Sequence, residues 1–160
     1  MAKNFKTTRI TPTSFAGTTG AADEVVFNPT EISNAVFHNG GASKLTSVSF
    51  IDYDDNGAAH GIDLYFFQLG TNDLGTLGGV IDITDPELLA NKFLGLVKVP
   101  GVANGASGDA ILSRVATIAG VDLIVQAEDL SSSIFVAAVC DTSTVSTAAG
   151  KELVFGFEQL

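Results

Sequence analysis

Apolar residues along this chain come in short runs and alternations of four to eight, separated by clusters of Gly, Asn, Asp, Pro and Thr. Period-two spacing with such breaks is the pattern of β-strands and turns, and strands alternating with long helical periods are missing. The runs predict strands over Phe5 to Thr11, Glu24 to Phe27, Ala35 to His38, Leu45 to Tyr53 and Ile62 to Leu69. They continue over Gly79 to Ile83, Phe93 to Val99, Ala110 to Ile118, Leu123 to Gln126, Ser133 to Cys140 and Glu152 to Phe157. That many short strands at near-regular spacing predict an all-β protein, an antiparallel β-sandwich of jelly-roll-like or related topology. The tract from Ser47 to Leu69 reads as two strands joined by an Asp/Asn/Gly loop, hence a hairpin.

One short connecting helix is expected near residues 85–91. Thr84 or Asp85 supplies an N-cap, Pro86 fits the first turn where its missing N–H costs nothing, and Glu87 sits at the positive end of the dipole. Leu88, Leu89 and Phe93 are then expected on the core side, with Gly95 ending the helix. Residues 1–12 read as a basic N-terminal arm or first strand, and residues 13–160 as a single sandwich domain. The segments 100–108 and 141–150, small and uncharged in their middles, read as flexible loops.

Two strands break simple alternation. Leu64-Tyr65-Phe66-Phe67 and Ile134 to Val139 are apolar at successive positions. A sheet with one wet face alternates more cleanly, so these strands are either buried on both faces or meet another molecule. Contact with another molecule is the favoured expectation. A covering loop and helix is the alternative.

Composition narrows the function. Charged residues are 16% of the chain against a usual share of about 25%, with 46% hydrophobic residues and 17 glycines. A net charge of −10, from 8 basic and 18 acidic residues, argues against nucleic acid and against an anionic membrane as partner. Of the few cations, Lys3, Lys6 and Arg9 gather at the N-terminus, where they could contact an acidic partner groove. The single cysteine, Cys140, lies in an apolar run without a cationic neighbour in sequence, as a small core residue does. No segment is apolar for the roughly 18 residues of a membrane span, and the start lacks a secretory core.

Candidate chemistry is sparse. Asp52, Asp54, Asn56 and Gly57 followed by Asp63 match D-x-D-x-N-G-x5-D, a calcium-loop template with Asp in the final position usually held by Glu. Its flanks read as strands where the template has helices, and a turn-forming loop is the simpler reading. His38 is expected to cap a turn before Asn39-Gly40-Gly41, and His60 sits inside the acidic loop. No nucleophile elbow or phosphate-binding loop is present, and no cofactor is expected apart from that possible calcium.

The stretch Val48 to Ala59 with its return Ile62 to Phe67, and Ile81-Asp82-Ile83-Thr84-Asp85-Pro86-Glu87-Leu88-Leu89, resemble small structural proteins of tailed bacteriophages. The resemblance runs from about Leu45 onward and implies a virion or capsid-decoration (cement) protein. It implies a non-enzymatic subunit on the outer capsid surface, made in the host cytoplasm. Its implied partners are the major capsid protein and copies of itself, as a homo-oligomer such as a trimer. A tail, fibre or head-spike component that binds a host receptor is one alternative. A calcium-dependent β-sandwich binding module is another.

Overall fold

The computed structural model describes residues 4–14, 17–20, 22–52, 61–100, 115–141, 144–146 and 151–160. The chain order of the elements is β1 (Asn4–Ile10), β2 (Gly17–Gly20), β3 (Val25–Ile32), β4 (Ala42–Asp52) and β5 (Ile62–Phe67), then the helix α1 (Asp85–Ala90). β6 (Phe93–Val99), β7 (Val115–Gln126), β8 (Ile134–Cys140), β9 (Thr144–Ser146) and β10 (Lys151–Gln159) follow. Two four-stranded sheets form, ordered β1-β10-β4-β7 and β3-β8-β5-β6, with a two-stranded β2-β9 piece. All pairs are antiparallel.

The pairing is nested. β1 pairs with β10, β2 with β9, β3 with β8, β4 with β7 and β5 with β6. The chain is thus one long antiparallel ribbon with β5–β6 at its tip. Two further pairings, β10 with β4 and β8 with β5, close the ribbon on itself. Its eight longer strands make the two-Greek-key sandwich called a jelly roll.

Alternation along the strands builds the interior. Leu153, Phe155 and Phe157 of β10, Val48 and Phe50 of β4, and Leu64 and Phe66 of β5 are fully buried between the sheets. Phe66 meets Phe155 edge-on with ring centroids 5.9 Å apart, a geometry that places a positive ring edge on a negative face.

Several expectations change. Ser47 to Leu69 is not a hairpin: β4 and β5 lie in different sheets, so the connection crosses from one to the other. Ala35 to His38 forms a turn, and Gly79 to Ile83 contributes a single bridge, Glu24 to Val80. The strands expected over Ala110 to Ile118 and Leu123 to Gln126 are, from Val115 on, one strand, β7, with a bulge where Thr46 of β4 faces Gly120 to Asp122, and 110–114 lie outside the described residues. Gly120 and Asp122 take positive φ of 70° and 58°, the left-handed conformation a strong bulge needs. Of the expected loops, 101–108 and most of 142–150 lie outside the described residues, while Thr144–Ser146 is β9.

The doubly apolar strands are covered by the chain itself. Residues 68–92, between β5 and β6, fold back over the outer face of the β3-β8-β5-β6 sheet. Val25, Phe67, Leu74, Ala137 and Val139 are buried there, and Leu77, Ile81, Ile83 and Leu88 pack on them. The expected contact of these strands with another molecule is therefore replaced by an internal one. Leu88 points to this second core, but Leu89 is 79% exposed and Phe93 43%, because α1 lies on the sheet by one edge only. Asn91 and Lys92 end the helix before Gly95 is reached, with Lys92 at φ 54°.

Two asparagines hold this flap. Asn28 of β3 accepts from the Leu74 N–H and donates to the Gly75 carbonyl, both at 2.8 Å. The fully buried Asn91 accepts from the Asn72 N–H at 2.9 Å and donates to its carbonyl at 2.7 Å. Each amide imitates a β-bridge to a loop that has no strand beside it. Asn28→Ala should leave a donor and an acceptor unmatched at the flap, lowering unfolding free energy by about 1–3 kcal/mol in urea melts and raising binding of an apolar dye.

Candidate functional site

Of the residues expected to carry chemistry, Asp52 and Asp63 fall on β4 and β5, strands of different sheets. Asp63, on β5, receives the Lys98 Nζ at 2.8 Å on Oδ2, a cross-strand pair set by the β5–β6 register. Its Oδ1 is buried and has no hydrogen-bond partner. Asp52 closes β4 opposite Lys151. Asp54, Asn56, Gly57 and His60 lie outside the described residues, as does Lys3. Among the described residues no group of three or more His, Cys, Asp or Glu converges on one point.

The N-terminal cations turn to their own chain. Lys6 donates to the Asn34 carbonyl at 2.9 Å, and Arg9 pairs with Glu152 at 2.6 Å. Residues 4–10 are the strand β1, in register with β10 from Asn4–Gln159 to Ile10–Leu153. At the turn where His38 is expected, its carbonyl accepts from the Gly41 N–H at 2.9 Å.

Cys140 ends β8 half-buried. Burial pushes its thiol up to about 11, with Glu24 and Asp141 adding to the rise and Lys151 opposing it. Lys151 is itself only 2% exposed, a buried cation that the sequence pattern did not single out.

Two depressions are open grooves. One, of about 540 Å³, runs between α1 and β6 and is lined by Leu88, Leu89, Phe93 and Leu94 with Gln68, Asp85 and Lys92. The other, of about 840 Å³, is polar and lies over the flap. Its Asn28 and Asn72 hold backbone, and Glu87 accepts from the Thr84 N–H and Oγ1, which draws its carboxyl below the usual range.

What the described surface offers is contact area of two kinds. The first is one end of the sandwich, where β1 begins, β10 ends, and loops 33–41 and 127–133 meet. The Gly40 N–H donates to the carbonyls of Glu128 and Ser131, both at 3.0 Å, and Asn39 Nδ2 donates to the Leu130 carbonyl at 3.2 Å. On these tied loops stand Leu130, 92% exposed, and Phe37, 67% exposed, with Leu160 at 61% beside them on the bond from its N–H to the Ala42 carbonyl.

The second is the outer face of the β1-β10-β4-β7 sheet, which no described element covers. Register sets its rows: Phe5–Glu158–Lys44–Ile124, then Thr7–Gly156–Ser47–Ala119, then Arg9–Val154–Ser49–Thr117. The middle row is small throughout, and a side chain at Gly156 would collide with Ser47 and Thr46. Two ion pairs lie within the face, Arg9 with Glu152 and Lys44 with Asp122, both at 2.6 Å, and Glu158 adds a third acid to the two cations. The hydrogen bond from Asp122 raises the Lys44 pKa, and the charge of Glu158 adds to it. Neither surface is visible as a sequence motif, because each gathers residues that only the register brings together.

No protein-family model and no curated protein matches the chain. Among solved structures it is similar to the X-ray structure of tomato aspermy virus, with a TM-score of 0.35 and 10% identity over 99% of this chain and 78% of that one.

Two measurements check the local chemistry. The Cys140 thiol favours its neutral form on folding, so its contribution to stability is complete below pH 9, the ordinary value, and disappears as pH rises toward about 11. Melting curves of the native chain and of Cys140→Ala should therefore converge over that window, and alkylation of the native thiol at pH 7 should be slower than in urea. Chelation with EDTA is expected to move the melting midpoint by less than about 1 °C. A larger drop that calcium alone restores would establish the D-x-D-x-N-G loop as a calcium site.

Proposed function

We propose that this chain is a non-enzymatic structural protein of a virion, a decoration subunit that binds a lattice of major capsid protein and braces it. The observation that carries this reading is the tied apolar end formed by Phe37, Leu130 and Leu160. A Leu or Phe side chain left in water forgoes about 1.5–3 kcal/mol of burial. Loop tips that hold such residues rigidly are anchors already ordered for a partner pocket, so little ordering entropy is lost on docking.

The rest of the molecule agrees with work done by contact. Six phenylalanines are fully buried among the described residues, and the polar groove over the flap has amides, Asn28 and Asn72, that hold backbone. A net charge of −10 keeps particles apart and free of DNA, while each attachment site can be modest because a shell repeats it many times.

The test is co-sedimentation of the purified chain with undecorated shells. The native chain should saturate them at fixed stoichiometry and raise their resistance to heat. The Phe37→Ser, Leu130→Asp double variant should fold normally, since both side chains are exposed, and bind at least about tenfold more weakly. Shells that ignore the native chain, or that withstand heat equally without it, would refute the reading.

A further inference from the structure

The two outer sheet faces differ in a way that points beyond attachment to a shell. One is sealed by the chain's own flap. The other, which no described element covers, carries two cations, Arg9 and Lys44, among three acids, Glu152, Asp122 and Glu158, and so is near neutral on a body that carries −10 overall. Two such bodies repel each other, so they meet most easily where charge is nearest to balance.

Two of the three rows of this face also have an internal symmetry, while the third, Arg9–Val154–Ser49–Thr117, would set Arg9 against Thr117 and Val154 against Ser49. Across the sheet those two read Phe5–Glu158–Lys44–Ile124 in the first row and Thr7–Gly156–Ser47–Ala119 in the next. A two-fold axis along the strands, midway between β10 and β4, exchanges β1 with β7 and β10 with β4. Phe5 then faces Ile124 of the other copy, Glu158 faces Lys44, and Gly156 faces Ser47. Apolar meets apolar, acid meets base, and the residue without a side chain meets a small one. Phe5 at 69% and Ile124 at 53% exposure are available for this.

We propose that this face is the interface of a two-fold symmetric dimer of the chain, formed without a shell and apart from the end that carries Phe37 and Leu130. A foreign partner would require no such self-complementarity, whereas an isologous interface requires it, since each residue that contacts a second must be contacted by it in return. Strands about 4.8 Å apart and rows about 7 Å apart make a plate of about 20 by 25 Å, so two plates bury on the order of 1,000 Å². That is the lower end for a specific interface, and a micromolar or weaker dissociation constant follows. Sheets packed face to face align at about −30°, which keeps the central Glu158–Lys44 and Gly156–Ser47 meetings in reach and lets the outer apolar pairs slide.

Charge reversal in two chains separates this geometry from a merely structural role. In Lys44→Glu, two pairs of acids would face each other across the axis, and in Glu158→Lys two pairs of bases would. Each variant alone should be monomeric, its dissociation constant raised more than about tenfold, while circular dichroism shows it folded. Mixed in equal amounts, the two variants place opposite charges at both contacts, so a heterodimer should form with an affinity near that of the native dimer. Sedimentation velocity from about 1 µM to about 1 mM reads all of this. A native chain that stays monomeric throughout, single variants that dimerise as the native chain does, or folded variants that fail to associate on mixing would each overturn the proposal. So would a native dimer indifferent to Ser49→Arg, since its interface would lie elsewhere.

Discussion

Nested antiparallel pairing is the constraint from which the rest of this molecule follows. Once β5 and β6 pair, each earlier strand can meet only the matching later one, out to β1 with β10. The ribbon then curls so that β10 reaches β4 and β8 reaches β5, and these closures bring Phe155 onto Phe66. Phenylalanine is well suited to this seam, because a flat ring fills the gap between two twisted sheets with a single polar-free body. The pairing also decides which ends of the strands lie together, and so which loops can cooperate.

The two sheets solve the problem of their outer faces differently. In the sheet ordered β3-β8-β5-β6, the central strands are apolar on both sides, and the 68–92 flap removes that surface from water. In the other sheet, β10 alternates strictly, with Leu153, Phe155 and Phe157 inward and Val154, Gly156 and Glu158 outward, while β4 alternates on either side of a slip at Thr46. One face is completed internally, and the other, which no described element covers, is left with small groups and charges of both signs. Thr46 is the extra residue of β4 against Gly156 and Phe157 of β10, and β7 places three residues, Gly120 to Asp122, opposite it, so the irregularities of the two ladders fall beside each other.

Much of the architecture was readable from the order of residues. The bounds expected for Phe93 to Val99 match β6, and those of β1, β5, β8 and β10 lie within a few residues, because each is a short apolar run between turn formers. The helix was legible from Thr84-Asp85-Pro86-Glu87, where capping chemistry is local. Partnership between strands was not. Asp, Asn and Gly after Asp52 are as compatible with a crossing between sheets as with a hairpin, since turn residues record a change of direction and not a partner. The same limit applied to Leu64 to Phe67: a run apolar on both sides states that both faces are dry, but the covering segment, 68–92, is itself rich in turn residues and carries no mark of its destination. Lys6 and Arg9 looked like an unattached cationic group because Asn34 and Glu152, which engage them, are remote in sequence. The candidate surfaces were illegible for that reason too, being products of register and not of spacing.

Asn4 stands opposite Gln159, so the first and last described residues of the ribbon emerge side by side. A short linker could join them, and new termini could be opened at a turn elsewhere without unthreading any strand. A circularly permuted chain of this kind would carry fused cargo away from the end where Phe37 and Leu130 stand, which makes the ribbon's closed circuit a practical handle for surface display.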